Sequence, residues 1–275
     1  MEHTFAATAF ATLGHPDRLA VLRLILRRAP SGVRPGEIVK ALGLKPNTLS
    51  HHLSDLAAAR LVTVTRDGRA RLYAANLETT EALVDYLALD LGRARGDVLP
   101  KVLNSGPAPV APFHVLFLCT GNSARSIIAE ALLRDLGQGR FVAHSAGTRP
   151  GAAPNPFALE VLARNGHATD TLKSKSLAQF RAPNAPQMHF VFTLCDLAAT
   201  EECPPWPGQP ISAHWGLPDP AQATGTGAQK ALAFAECYAA LHRRLSAFVA
   251  LPLETLDRRA LQARLDTLAP QIDTE

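Results

Sequence analysis

The segment His114 to Leu118 reads HVLFL and runs into Cys119-Thr120-Gly121-Asn122-Ser123-Ala124-Arg125-Ser126, after which Ile128, Leu132 and Leu136 recur at helical spacing. A short apolar run of this kind predicts a buried strand. Strand, small-residue loop and helix N-terminus in that order build an anion site, because consecutive backbone N–H groups converge on one point and the helix dipole adds positive potential. Five residues separate Cys119 from Arg125, so the loop can curl with the sulfur at its base and the guanidinium closing over a tetrahedral oxyanion. The expected oxyanion contacts are Thr120, Gly121, Asn122, Ser123, Ala124 and Arg125. The same field is expected to lower the Cys119 pKa from ~8.5 into a range of roughly 3.5 to 7.5, with Ser126 donating a hydrogen bond to the sulfur. Such a cradle selects the shape of the anion, and phosphate, arsenate and sulfate fit it about equally.

All four cysteines, Cys119, Cys195, Cys203 and Cys237, lie after residue 118. Four in 275 residues, on one side of the chain, do not make a disulfide scaffold, so thiol chemistry in a reducing compartment is the expectation. No apolar run approaches the ~18 residues that cross a bilayer, and Met1 to Gly14 lacks the order of a signal peptide. A cytoplasmic protein without membrane contact is expected. The scattered Cys and His offer no paired short-spacing ligand set, so no metal site is expected.

Between Gly92 and Pro112 the chain reads GRARGDVLPKVLNSGPAPVAP, a linker composition. The expected organisation is a first domain over 1–92, a linker over 93–112, a second domain over 113–250 and a helical tail over 251–275. Residues 1–100 carry thirteen basic and ten acidic groups, with seven bases against three acids between Arg34 and Arg71. The remainder is nearly neutral.

In the first domain Pro16 opens a helix along which Leu19, Leu22 and Leu26 recur, Pro35 opens a second that Gly43 closes, and Pro46 opens a third, PNTLSHHLSDLAAARL. At about 100° per residue, Leu49, Leu53 and Leu56 share a stripe while Asn47, Ser50, His51 and Ser54 face away; His52, at the stripe's edge, is expected to pack. Then VTVTRDGRARLYA alternates about Asp67-Gly68, a hairpin with Arg66, Arg69 and Arg71 at and beside its tip. A polar-faced helix followed by a basic hairpin is a winged helix-turn-helix arrangement, with the helix suited to the major groove and the wing to the backbone or minor groove.

On Leu13-Gly14-His15-Pro16-Asp17-Arg18-Leu19, Ser50-His51-His52-Leu53 and Asp67-Gly68-Arg69, this half resembles the ArsR family of winged-helix repressors. The resemblance implies a homodimer on a pseudo-palindromic operator DNA, joined through the terminal helices, Thr4 to Leu13 and Leu77 to Leu91. One departure is plain: Pro35 to Lys40 lacks the cysteine pair of arsenic-sensing members, and the last helix lacks the Asp/His spacing of a zinc-sensing one.

From about Phe113 to Val249 the sequence resembles the low-molecular-weight tyrosine phosphatase superfamily, and within it the ArsC arsenate reductases. Beyond CTGNSARS the likeness rests on Ser145-Ala146-Gly147-Thr148, Asn155-Pro156, Ser174-Lys175-Ser176-Leu177, Thr193-Leu194-Cys195-Asp196, Cys203-Pro204 and His214 to Pro220. It implies an α/β domain with a four-stranded parallel sheet and chemistry at the carboxyl ends of the strands. It also implies Asp219, of the Asp219-Pro220 pair, as general acid.

Hydrolysis of a phosphoester needs one cysteine, whereas reducing As(V) to As(III) needs two electrons, which a second thiolate supplies by attacking the first. Cys195 follows the apolar run HFVFTL at an expected strand end, and Cys203 lies eight positions on, in a loop with four prolines between Asp196 and Pro210. The expected order is attack by Cys119 on arsenate, with Asp219 assisting water loss, then attack by Cys195, then resolution by Cys203. No bound cofactor is expected, only an external thiol reductant. The Cys195 to Cys203 spacing exceeds that of thioredoxin-linked reductases by one residue, which leaves thioredoxin and glutathione or glutaredoxin types both open. Ala124 stands where animal phosphatases carry a second loop cysteine, and no tyrosine pair follows Pro220. Cys237 reads as core, and Trp206 and Trp215 as either mouth or core. The expected whole is a repressor fused to a thiol-dependent arsenate reductase. Its rivals are a regulator whose second half senses an oxyanion or arsenic without turnover, and a phosphatase with a DNA-binding appendage.

Overall fold

A computed structural model of the chain describes residues 1–67, 70–91, 112–182, 184–200, 206 and 208–269. These fall into two compact units, one described up to Leu91 and the other from Pro112. Residues 93–111 of the expected linker, Gly68, Arg69 and Cys203 lie outside the described residues.

The N-terminal unit runs α1 (His3–Leu13), α2 (Pro16–Arg27), α3 (Pro35–Leu42), α4 (Pro46–Ala58), β1 (Val62–Asp67), β2 (Ala70–Ala75) and α5 (Leu77–Asp85), which continues as a π-helical stretch over Tyr86–Leu91. Proline opens α2, α3 and α4, where its missing N–H costs nothing and its fixed φ suits the first turn. Gly43 ends α3 at φ 65°, in the left-handed region, and its N–H reaches Val39 O at 2.9 Å. Leu49, Leu53 and Leu56 of α4 bury against Val21, Ile25 and Ile38, each worth about 1.5–3 kcal/mol relative to exposure. His52 packs with them at 7% exposure. β1 and β2 pair antiparallel from Val62↔Ala75 to Asp67↔Ala70, and Val33 adds a bridge to Tyr73. Helix, turn, helix and wing thus occur in the expected order.

The C-terminal unit runs β3 (Phe113–Cys119), α6 (Arg125–Leu136), β4 (Phe141–Gly147), α7 (Pro156–Arg164), β5 (Phe190–Thr193), α8 (Asp196–Thr200), β6 (Ile211–His214), α9 (Gly227–Val249) and α10 (Arg258–Leu268). The four strands form one parallel sheet in the order β4-β3-β5-β6. Both faces are covered, which is why β3 reads as a continuous apolar run. Phe113, Val115 and Phe117 enter one core with Ile128, Leu132 and Phe192, while Leu116 and Leu118 enter another with Ala146 and Val191.

One sequence reading changes here, and one that was open is decided. The segment read as a tail contains a helix, but α10 is part of the core: Leu261 and Leu265 are buried in it, and Gln262 Nε2 donates to Ser212 O on β6 at 2.9 Å. Trp215 belongs to the core and not the mouth. It is fully buried, stacks on Phe192 at 4.1 Å between ring centroids, and donates its indole N–H to Leu265 O at 3.3 Å.

Candidate functional site

Cys119 is the last residue of β3 and Arg125 the first of α6, so the intervening loop carries the chain from strand end to helix N-terminus. Asn122 takes φ 45° to make the curl. The loop also presses on the end of β4, where a Cβ on Gly147 would stand 2.7 Å from Thr120 O; only glycine fits that approach. Asn122 N–H donates to Cys119 Sγ at 3.1 Å, and Ser126 Oγ lies 2.8 Å from the same sulfur. A cavity of about 490 Å3 opens above, lined by Cys119, Thr120, Gly121, Ser123, Ala124 and Arg125 together with Cys195 and Asp219.

The guanidinium of Arg125 is held on its outer side, by Asp219 Oδ2 at 3.0 Å and by donation to Leu217 O at 2.9 Å. Asp219 accepts the N–H of Ala221 at 3.2 Å, which fixes the turn at Pro220. The structure thus brings Asp219 to the cavity beside the cation expected to clamp the anion. Cys195 follows β5 and is 6% exposed, in one buried cluster with Cys119 and Ala198. Its sulfur lies 3.4 Å from Thr120 Oγ1 and accepts the Ala198 N–H at 3.4 Å. Cys237 lies in the core, and burial pushes its thiol up to about 12.

The expected lowering of the Cys119 pKa is reversed. Burial of the sulfur pushes it above the ordinary thiol value, and the neighbouring Cys195 adds to this; the hydrogen bonds from Ser126 and Asn122 pull it back without overcoming burial. Loop N–H groups are legible in a sequence, whereas the loss of water around the sulfur is not.

Asn122 and Ser126 lie beneath the cavity. The fully buried Asn122 amide donates to Ser126 Oγ at 2.9 Å and Ser145 Oγ at 2.8 Å, and accepts the Lys175 N–H at 2.6 Å. Ser126 Oγ therefore accepts from Asn122 and is left to direct its own proton at the sulfur. Ser145 in turn donates to Glu130 at 2.5 Å, and Lys175 Nζ donates to the two Glu130 oxygens at 3.1 and 2.8 Å. The sequence reading gave Glu130 no role, and took Ser145 and Lys175 only as parts of resemblance motifs. Their polar character inside apolar surroundings was the available signal, but nothing in the order of residues joins positions 122, 130, 145 and 175.

The family model described as Low molecular weight phosphotyrosine protein phosphatase matches residues 114–262, more than half of the chain. The chain belongs to that family. A second model, Helix-turn-helix domain, matches residues 13–65, so this low molecular weight phosphatase family member is a fusion with a DNA-binding type of domain. Over 134 residues it is 32% identical to the arsenate reductase of Halalkalibacterium halodurans and 33% identical to that of Bacillus subtilis, covering in each case 49% of this chain and 93% of the relative. Among solved structures, a thioredoxin-dependent arsenate reductase of Corynebacterium glutamicum is similar at 21% identity and a TM-score of 0.38, covering 78% of this chain and 94% of the other. The sequence likeness to those two reductases makes the second unit one of the arsenate reductase type within the low molecular weight phosphatase family.

The helix-turn-helix unit of this family member presents Asn47, Ser50, His51 and Ser54 exposed on one side of α4. Ser50 Oγ donates back to Pro46 O at 3.0 Å, which leaves its oxygen facing outward. Arg66 and Arg71 are exposed cross-strand partners on the wing. No helix among the described residues is long and apolar enough to cross a membrane.

Proposed function

We propose that the chain is a DNA-binding transcriptional repressor of the ArsR type joined to a thiol-dependent arsenate reductase. The observation that carries the enzymatic part is the second thiol. Cys195 shares a buried cluster with Cys119 at the edge of the oxyanion cradle, a placement that phosphoester hydrolysis does not require and two-electron reduction does. Arsenate docks on the loop N–H groups of residues 120–125 and on Arg125, and Cys119 attacks arsenic and displaces one arsenate hydroxyl. The thiol proton of Cys119 passes by way of Asp219 to that oxygen, which leaves as water. The Cys195 thiolate then attacks Cys119 Sγ, the S–As electron pair passes to arsenic, and arsenite leaves as a Cys119–Cys195 disulfide forms. Cys203 attacks Cys195 to free Cys119, and an external dithiol of the thioredoxin or glutaredoxin type reduces the remaining disulfide.

The exposed α4 face with Arg66, Arg69 and Arg71 supports operator binding. Exposed Leu77, Val84, Leu87 and Leu91 along α5 and its continuation form an apolar surface that supports pairing of two copies there. The test is arsenite formation from arsenate with thioredoxin, its reductase and NADPH, repeated with Cys119→Ser and Cys195→Ser. Both variants should fall to background. Full turnover by Cys195→Ser would sink the relay, and brisk hydrolysis of p-nitrophenyl phosphate without arsenate reduction would favour a phosphatase.

A further inference from the structure

We propose that His15, Asp17 and His52 form a binding site for a divalent transition ion of the Zn2+ class, tying the start of α2 to the middle of α4. One donor atom from each residue lies within 4.8 Å of the other two, and rotation of the His15 and Asp17 side chains toward His52 must close that spacing for bonds of about 2.0–2.2 Å to one ion. The rings of His15 and His52 stand 4.7 Å apart between centroids, tilted by 50°. A second observation points to a ligand. His52 is 7% exposed, and its Nε2 is buried without a hydrogen-bond partner, 3.5 Å from Asp17 Oδ2. A buried ring nitrogen left without a partner is costly, and a metal bond at that atom removes the cost.

The donor chemistry narrows the ion. Two imidazoles and a carboxylate suit Zn2+, Co2+ or Ni2+, whereas Mg2+ and Ca2+ take oxygen ligands and Cu+ takes thiolates, of which the first 118 residues have none. Three protein ligands leave one position to water, and the half-exposed Asp17 gives the ion its way in. His15 Nδ1 accepts the Asp17 N–H at 3.1 Å as the cap of α2. Coordination through that nitrogen takes over the lone pair, and coordination through Nε2 moves the ring proton to Nδ1. Either route exchanges the cap for a metal bond. The site lies on the helix that carries Asn47, Ser50, His51 and Ser54, so the ion would anchor that helix from behind its exposed face. Sequence spacing hides it, because α2 and α4 bring position 52 to positions 15 and 17 only on folding.

The test uses the full chain, stripped with a chelator and with its accessible cysteines alkylated by iodoacetamide, titrated with Co2+ and followed by visible absorption. One Co2+ per chain is expected, displaced by Zn2+, with nitrogen and oxygen ligand bands only. Asp17→Ala and His52→Ala are each expected to weaken it more than about tenfold. Circular dichroism checks that each variant is folded, and Asp17→Ala, at an exposed carboxylate, decides the matter if His52→Ala unfolds. Co2+ affinity unchanged in Asp17→Ala, or saturation only at millimolar metal, overturns the site.

Discussion

Lys175 Nζ donates to Glu130 Oε2 at 2.8 Å, with the two side chains 14% and 15% exposed. Glu130 also accepts from Ser145, so the pair terminates the chain of hydrogen bonds that runs through Asn122 to Ser126 and the Cys119 sulfur. Removing one partner of a nearly buried pair leaves a charge without compensation, which costs about 3–5 kcal/mol. Lys175→Ala should therefore lower the urea midpoint of the second unit and slow alkylation of Cys119 by iodoacetamide, whereas changing Lys173, which does not touch Glu130, should do neither.

Ser126 supplies the strongest pull on the Cys119 thiol against burial. Ser126→Ala should move the midpoint of the alkylation-rate profile of Cys119 upward, because the thiolate loses a hydrogen-bond donor. A midpoint that moved down would show the hydroxyl accepting from the thiol instead.

Thiol stoichiometry checks the relay without any reductant present. One turnover of arsenate should consume two titratable thiols for each arsenite released, counted with Ellman's reagent after denaturation. Cys203→Ser should then accumulate a Cys119–Cys195 disulfide visible by peptide mass spectrometry.

Acid should weaken the second unit through His144. Burial, aided by the neighbouring His114 and Lys175, holds its ring down at about 4 against an ordinary 6.5, and burial and His114 hold His189 down as well. The native ring stays neutral while the unfolded one takes up a proton below 6.5, so this stability is complete above that value. It is lost progressively as pH falls toward about 4. Urea midpoints measured across the interval should show the loss, and His144→Gln should flatten it.

Trp215→Ala removes a fully buried ring stacked on Phe192, together with its hydrogen bond to α10. Loss of about 3–5 kcal/mol is expected in chemical unfolding.

The cradle was legible because its parts are contiguous: strand, loop and helix start fall within Phe113 to Leu136, and each carries its own local signature. The polar face of α4 was legible for the same reason, since helical periodicity alone sorts Asn47 and Ser50 from Leu49 and Leu53. What escaped is long-range. Glu130 and Lys175 meet across 45 positions and Trp215 and Leu265 across 50; an amphipathic stripe such as Leu261 and Leu265 announces that it will be buried without naming the partner. The direction of the Cys119 shift escaped because burial is a property of the closed fold, while the opposing N–H groups are written in the loop.

The packing of α10 on β6 gives the two units different histories at the ribosome. Domains fold as they emerge, the N-terminal one first, and the helix-turn-helix unit has all of its described strands and helices before Phe113 is translated. The reductase-type sheet has no such early completion. Trp215 and the outer edge of β6 stay wetted until residues 258–268 have left the exit tunnel, so the winged helix has its full length of chain before the second sheet has its cover.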